Sequence, residues 1–232
     1  MPSDSSAVVS ASSVEAPSGF GLRVATVVSY VVNPLILPPL VYGLVLHHVG
    51  AATGDVLVGA GIGAVFLGLI PLAHVGWMRI RGDIGSLEIR DRSKRTEPFF
   101  VVLGAGLAAL LLVGGLEMKG QLLLAALLGC HLLNTVLLMG ITRWWKISVH
   151  CASVAGALGT LAFVRFHVPG TVMDTAMLGP AILGVGLILV PLLVWARVRS
   201  RAHTLRQAVA GTVMGLVAPY LELWAVSSFV GF

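Results

Sequence analysis

Apolar positions in this chain run in long blocks separated by short polar segments. After residue 18 the blocks recur seven times, over about 22–48, 55–80, 98–117, 121–141, 148–167, 176–196 and 207–230. Each is long enough to cross a hydrocarbon core of about 30 Å. None alternates with a period of two, so barrel strands do not fit, and lipid leaves only helices to satisfy the backbone. The pattern predicts an all-α membrane protein, a helical bundle of six to seven transmembrane helices. Pro34, Pro38 and Pro39 predict a break in the first block. Small residues four apart (Gly59/Gly63, Ala155/Gly159 and Gly211/Gly215) predict close helix contacts. Residues 1–18, Ser/Ala-rich and without Lys or Arg, read as a short disordered tail and lack the basic start of a secretory signal. Residues 19–232 read as one transmembrane domain.

Composition agrees. Of 232 residues 57% are hydrophobic and 11% charged, and mean hydropathy is +0.96. A soluble domain carries about 25% charged residues, and disordered chains are poor in apolar ones. The net charge of +5 would suggest nucleic acid in a soluble protein. Here it reads as an orientation signal and a match for anionic headgroups, with no nucleic-acid partner. Cys130 and Cys151 lie in apolar blocks and predict small buried residues, not a disulfide framework.

The charges are unevenly placed. With seven crossings, the loops near 79–97, 142–150 and 196–207 share one face with the N-terminus. That face holds thirteen of the fifteen bases, leaving only Lys119 and Arg165 opposite. The positive-inside rule makes the crowded face cytoplasmic, with the protein in a prokaryotic cell membrane. Trp77, Trp144, Trp145 and Trp195 end spans on the same side. Arg79, Arg81, Arg199 and Arg201 read as orientation charges. Lys146 is open to both phosphate contact and snorkelling. His131 and Asn134 share a helix face and predict a bond to a neighbouring helix, as intramembrane His74 also does. His47, His48 and His167 fall at the opposite interface, and Glu222 has no evident partner.

The three loops also share an inventory. The first supplies Arg92 and Arg95, the second Lys146, Ser148 and His150, and the third Arg197, His203 and Gln207. Fixed cations suit the charge spread over a phosphoryl group. One neutral imidazole can attack phosphorus while a second, protonated, serves the leaving oxygen.

In these residues the chain resembles the type 2 phosphatidic acid phosphatases, whose signatures are KxxxxxxRP, PSGH and SRxxxxxHxxxD. Arg197, five residues and His203 match the third, with Ala196 for its serine and Gln207 for its aspartate. Ile147-Ser148-Val149-His150 keeps the Ser and His of the second. Arg92-Ser93-Lys94-Arg95-Thr96-Glu97-Pro98 has the basic character and proline of the first, but not its spacing. An even number of crossings between motifs returns each to the same face. The resemblance covers roughly residues 75–215, so the first span lies outside it. It implies an integral membrane lipid phosphatase needing no metal or other cofactor. His203 would be the nucleophile that forms a phosphohistidine, and His150 the acid for the leaving alcohol and then the base for water. Gln207 would orient His203, and Arg197, Ser148, Arg92, Arg95 and Lys146 would bind phosphate. The partners would be a lipid phosphate substrate (phosphatidic acid, phosphatidylglycerophosphate or a prenyl phosphate) and membrane lipids. The oligomeric state is not specified. Gln207 lacks the full charge of the family's aspartate, which implies a slower enzyme.

Other readings stay open. A prenyl or phosphoalcohol transferase needs clustered acids holding magnesium, whereas Asp83, Glu88 and Asp91 form no Asp-rich motif. A transporter, or a catalytically degenerate protein that binds lipid phosphate, would bind without turnover.

Overall fold

The computed structural model describes residues 19–87, 89 and 91–230. The expected tail, 1–18, lies outside the described residues. The regular elements are helices: α1 (Phe20–Val31), α2 (Leu37–His48), α3 (Thr53–Ile62), α4 (Ile70–Ile80), α5 (Thr96–Gly114), α6 (Gln121–Trp144), α7 (Val149–His167), α8 (Leu178–Arg199) and α9 (Leu205–Val230). Among the described residues they make seven segments long and apolar enough to cross a membrane. Their limits follow the hydropathy blocks closely, because lipid-facing length and helix length obey the same constraint.

The break in the first span is narrower than its three prolines suggest. The Asn33 side chain accepts the Leu35 N–H at 3.0 Å and starts a short 3₁₀ turn, Pro34–Ile36. Pro38 and Pro39 then sit in the first turn of α2, where a missing N–H costs nothing. In the second span, Gly63–Leu69 widens into π-helical turns ahead of Pro71. A Cβ on Gly63 would lie 2.8 Å from the Pro39 nitrogen, so glycine lets the two irregular spans touch.

The shortest span, α7, with 19 residues, is also the most enclosed. It packs chiefly on α9 through glycine. A Cβ on Gly215 would fall 2.0 Å from the Ala152 carbonyl oxygen, and one on Gly159 2.3 Å from that of Leu216. Both predicted pairs in these helices are therefore packing contacts. By contrast α8 is peripheral, with Leu187 and Ile188 exposed. Cys130 and Cys151 are buried free thiols.

Asn134 finds its partner on a neighbouring helix. Asn134 Nδ2 donates to Glu222 Oε2 at 2.6 Å and to the Cys130 carbonyl at 2.8 Å, which supplies the partner Glu222 lacked. His74 Nε2 lies 3.3 Å from Glu97 Oε1. His48 departs from the interfacial reading and is fully buried. Its Nε2 donates to the Val168 carbonyl at 2.9 Å, and its Nδ1 accepts the N–H groups of Val172 and Met173 at 3.2 and 3.0 Å. A neutral imidazole thus latches the α7–α8 loop onto α2.

Candidate active site

Ser148 caps α7, its Oγ accepting the Cys151 N–H at 3.4 Å, and its own N–H donates to the Gln207 carbonyl at 3.3 Å. The first turns of α7 and α9 are therefore joined. Thr204 and Gln207 close a reciprocal cap on α9. Gln207 Oε1 accepts the Thr204 N–H at 3.1 Å, and Thr204 Oγ1 accepts the Gln207 N–H at 3.4 Å, the arrangement expected of Thr-x-x-Gln.

Between α8 and α9 the chain turns within a few residues. The Arg197 carbonyl accepts the N–H groups of Ala202 and His203 at 3.1 and 3.2 Å, and the Ser200 hydroxyl at 3.3 Å. Arg201 makes the reversal at φ 54°. The turn buries both conspicuous side chains of the third motif, leaving Arg197 2% and His203 6% exposed.

The second loop braces this turn, and the first loop braces the second. Lys146 Nζ donates to the Ala202 carbonyl at 2.8 Å. Arg95 donates to the carbonyls of Ile89 and Ile147, at 2.9 and 3.3 Å, and Arg92 to that of Trp144. The cations thus fix loop to loop through backbone oxygens.

Arg95, His150, Arg197 and His203 line one cavity of about 290 Å³. Ser148, Arg92, Lys146 and Gln207 do not line it. Ser148 is fully buried and acts as a cap, and the other three hold the surrounding frame. Burial pushes the His203 imidazole down to about 3, and the charges of Arg197, Arg95 and Lys146 push it the same way, while the nearby Gln207 amide opposes them. His203 is therefore neutral at pH 7, with a buried Nδ1 that has no hydrogen-bond partner among the described residues, in a field that attracts anions.

The rest of the cavity wall is largely apolar, and part of it comes from the first span, including Tyr30, Asn33, Pro34 and Leu35. Motif reasoning missed these residues. The signal available was the Asn33-Pro34 break inside an otherwise continuous apolar block. A second cavity of about 210 Å³ lies among α2, α6, α7 and α9, and shares Pro34, Leu35, Phe99, Val102 and Val149 with the first. Among the described residues, no group of three or more His, Cys, Asp or Glu side chains is placed to hold a metal ion.

No protein-family model, no curated protein and no solved structure matches the chain.

Proposed function

We propose that this protein is an integral membrane phosphatase that releases phosphate from a lipid through a phosphohistidine, in the manner of the type 2 phosphatidic acid phosphatases. One observation carries the reading: a single cavity is lined by two arginines and two histidines together with a largely apolar wall. That lining suits a phosphorylated headgroup with a hydrocarbon tail. A phosphate oxygen bound by Arg197 and Arg95 loses part of its charge. The neutral His203 nitrogen then attacks phosphorus, a P–N bond forms and the P–O bond to the lipid breaks. Protonated His150 gives its proton to the departing alkoxide. In the second half, neutral His150 takes a proton from water, the water oxygen attacks phosphorus, and the P–N bond breaks to release inorganic phosphate. Phosphatidic acid, phosphatidylglycerophosphate and prenyl phosphates all meet this description. The basic face is cytoplasmic in this reading, which favours substrates made on the inner leaflet.

The test is phosphate release in detergent micelles with excess chelator, over several lipid phosphates. Native protein should turn over at least one of them, and His203→Ala should abolish release while melting normally. Full activity in His203→Ala sinks the assignment.

A second reading rests on Gln207, whose amide oxygen caps α9 and places no carboxylate behind His203. It is a lipid-phosphate-binding protein without turnover. Saturable binding by native protein, with no release under any condition, would favour it.

A further inference from the structure

We propose that the substrate carries a single hydrocarbon chain, threaded past the break in the first span and housed inside the bundle. This rests on the phosphatase reading for its headgroup end. The two cavities adjoin. Pro34 and Leu35 on one side, with Phe99, Val102 and Val149 on the other, border both. In this proposal a chain leaving a phosphate beside Arg197 and His203 passes between these shared residues into the space between α6, α7 and α9.

The passage is built by irregular backbone. The 3₁₀ turn carries Pro34 and Leu35. A Cβ on Gly68 would lie 3.0 Å from the Leu35 carbonyl oxygen, so the second span presses the turn into place. Two of the polar residues that line the inner chamber are already engaged by the protein. Thr135 Oγ1 donates to the His131 carbonyl at 2.7 Å, and Asn134 is held by Glu222 and its own helix. What remains for an occupant is mostly hydrocarbon surface, which suits an alkyl or prenyl chain. A lipid with two chains would need a second passage. Prenyl and single-acyl phosphates share the required chemistry.

Chain position can be read without turnover. Geranylgeranyl phosphate and oleoyl lysophosphatidate, each with a photoreactive diazirine at the far end of the chain, are bound to the native protein in nanodiscs and crosslinked. Mass spectrometry should find the label on α6 and α7 facing the inner chamber, and whichever probe labels more identifies the chain type. Ser153, which lines only that chamber, is changed to Phe. Inner labelling should fall at least tenfold, and Ser153→Leu should give a smaller fall at an unchanged melting temperature. In the turnover arm, Ser153→Phe should lower kcat/KM for the twenty-carbon prenyl phosphate at least tenfold and leave that for isopentenyl phosphate within twofold. Label on the lipid-facing Leu111, Leu187 or Ile188 overturns the proposal. So does equal inner labelling by a dioleoyl phosphatidate probe, or a Ser153→Phe protein that labels like the native one. If no substrate is hydrolysed, the phosphatase reading fails, and the crosslinks still decide where the chain lies.

Discussion

The carbonyl oxygen of Arg197 accepts the backbone N–H of His203 at 3.2 Å, so the two residues are ends of one turn and not members of independent loops. The five-residue interval between them is the length of that turn. It lets a peripheral helix deliver a buried guanidinium and a buried imidazole in fixed relation, which is what positional catalysis requires.

Arg201 supplies the reversal at φ 54°, where a side chain costs about 1–2 kcal/mol. Arg201→Gly should keep the site intact and hold or raise the melting temperature, whereas Arg201→Val should lower it. Thermal melts in detergent measure both. A strong loss of stability in Arg201→Gly would mean that the arginine side chain, and not the turn, matters there.

His203 titrates far below its ordinary value, to about 3, mainly from burial. The unfolded chain binds that proton near pH 6.5, so between the two values the unfolded state carries more protons. Stability should therefore fall as pH falls through this window, at up to about 1.4 kcal/mol per pH unit. The comparison is native protein against His203→Asn, melted at pH 7 and pH 4.5. The drop should be clearly smaller in the variant, and equal drops would contradict the buried neutral imidazole.

Gln207 has two duties that can be separated. Gln207→Glu keeps an oxygen for the Thr204 N–H and brings a negative charge near His203. It should fold normally and move the acid limb of activity to higher pH, because the charge favours the protonated ring. Gln207→Ala should cost about 1 kcal/mol through the lost cap, as should Thr204→Ala. A pH profile that is the same in Gln207→Glu and the native protein would remove Gln207 from the chemistry.

The α7–α9 interface should be intolerant of volume. A Cβ on Gly215 would fall 2.0 Å from the Ala152 carbonyl oxygen, so Gly215→Val should destabilise by at least the 1–3 kcal/mol typical of overpacking. Because Ser148 and His150 begin α7, activity should be lost with it. Native-like melting and turnover in Gly215→Val would show that the helices separate without cost.

The seven spans were legible because lipid imposes one length and one periodicity, and the charge-rich loops were legible as a single face. Residue roles were less so. Arg95, His150, Arg197 and His203 line one cavity, and Ser148 is a helix cap. A Ser before a helix reads the same whether it binds phosphate or a backbone N–H. Arg92 and Lys146 are tied to carbonyl oxygens, which depend on distant loop geometry that no local pattern encodes. The first span was read as lying outside the resemblance, and its contribution to the cavity comes from a backbone break and not from any polar signature. His48 carried no sign of burial, since its partners lie 120 or more residues away.

The central helix is also the shortest span. Its 19 residues extend about 28 Å at 1.5 Å per residue, against about 36 Å for the 24 residues of α6. Because α7 is short and begins with Ser148 and His150, the depth of these groups depends on how the bilayer fits that one helix. In a thick bilayer the headgroup plane would stand off from them, and in a thin one it would come down to meet them. The protein's rate should then respond to the acyl length of the surrounding lipids, even when the substrate itself is unchanged.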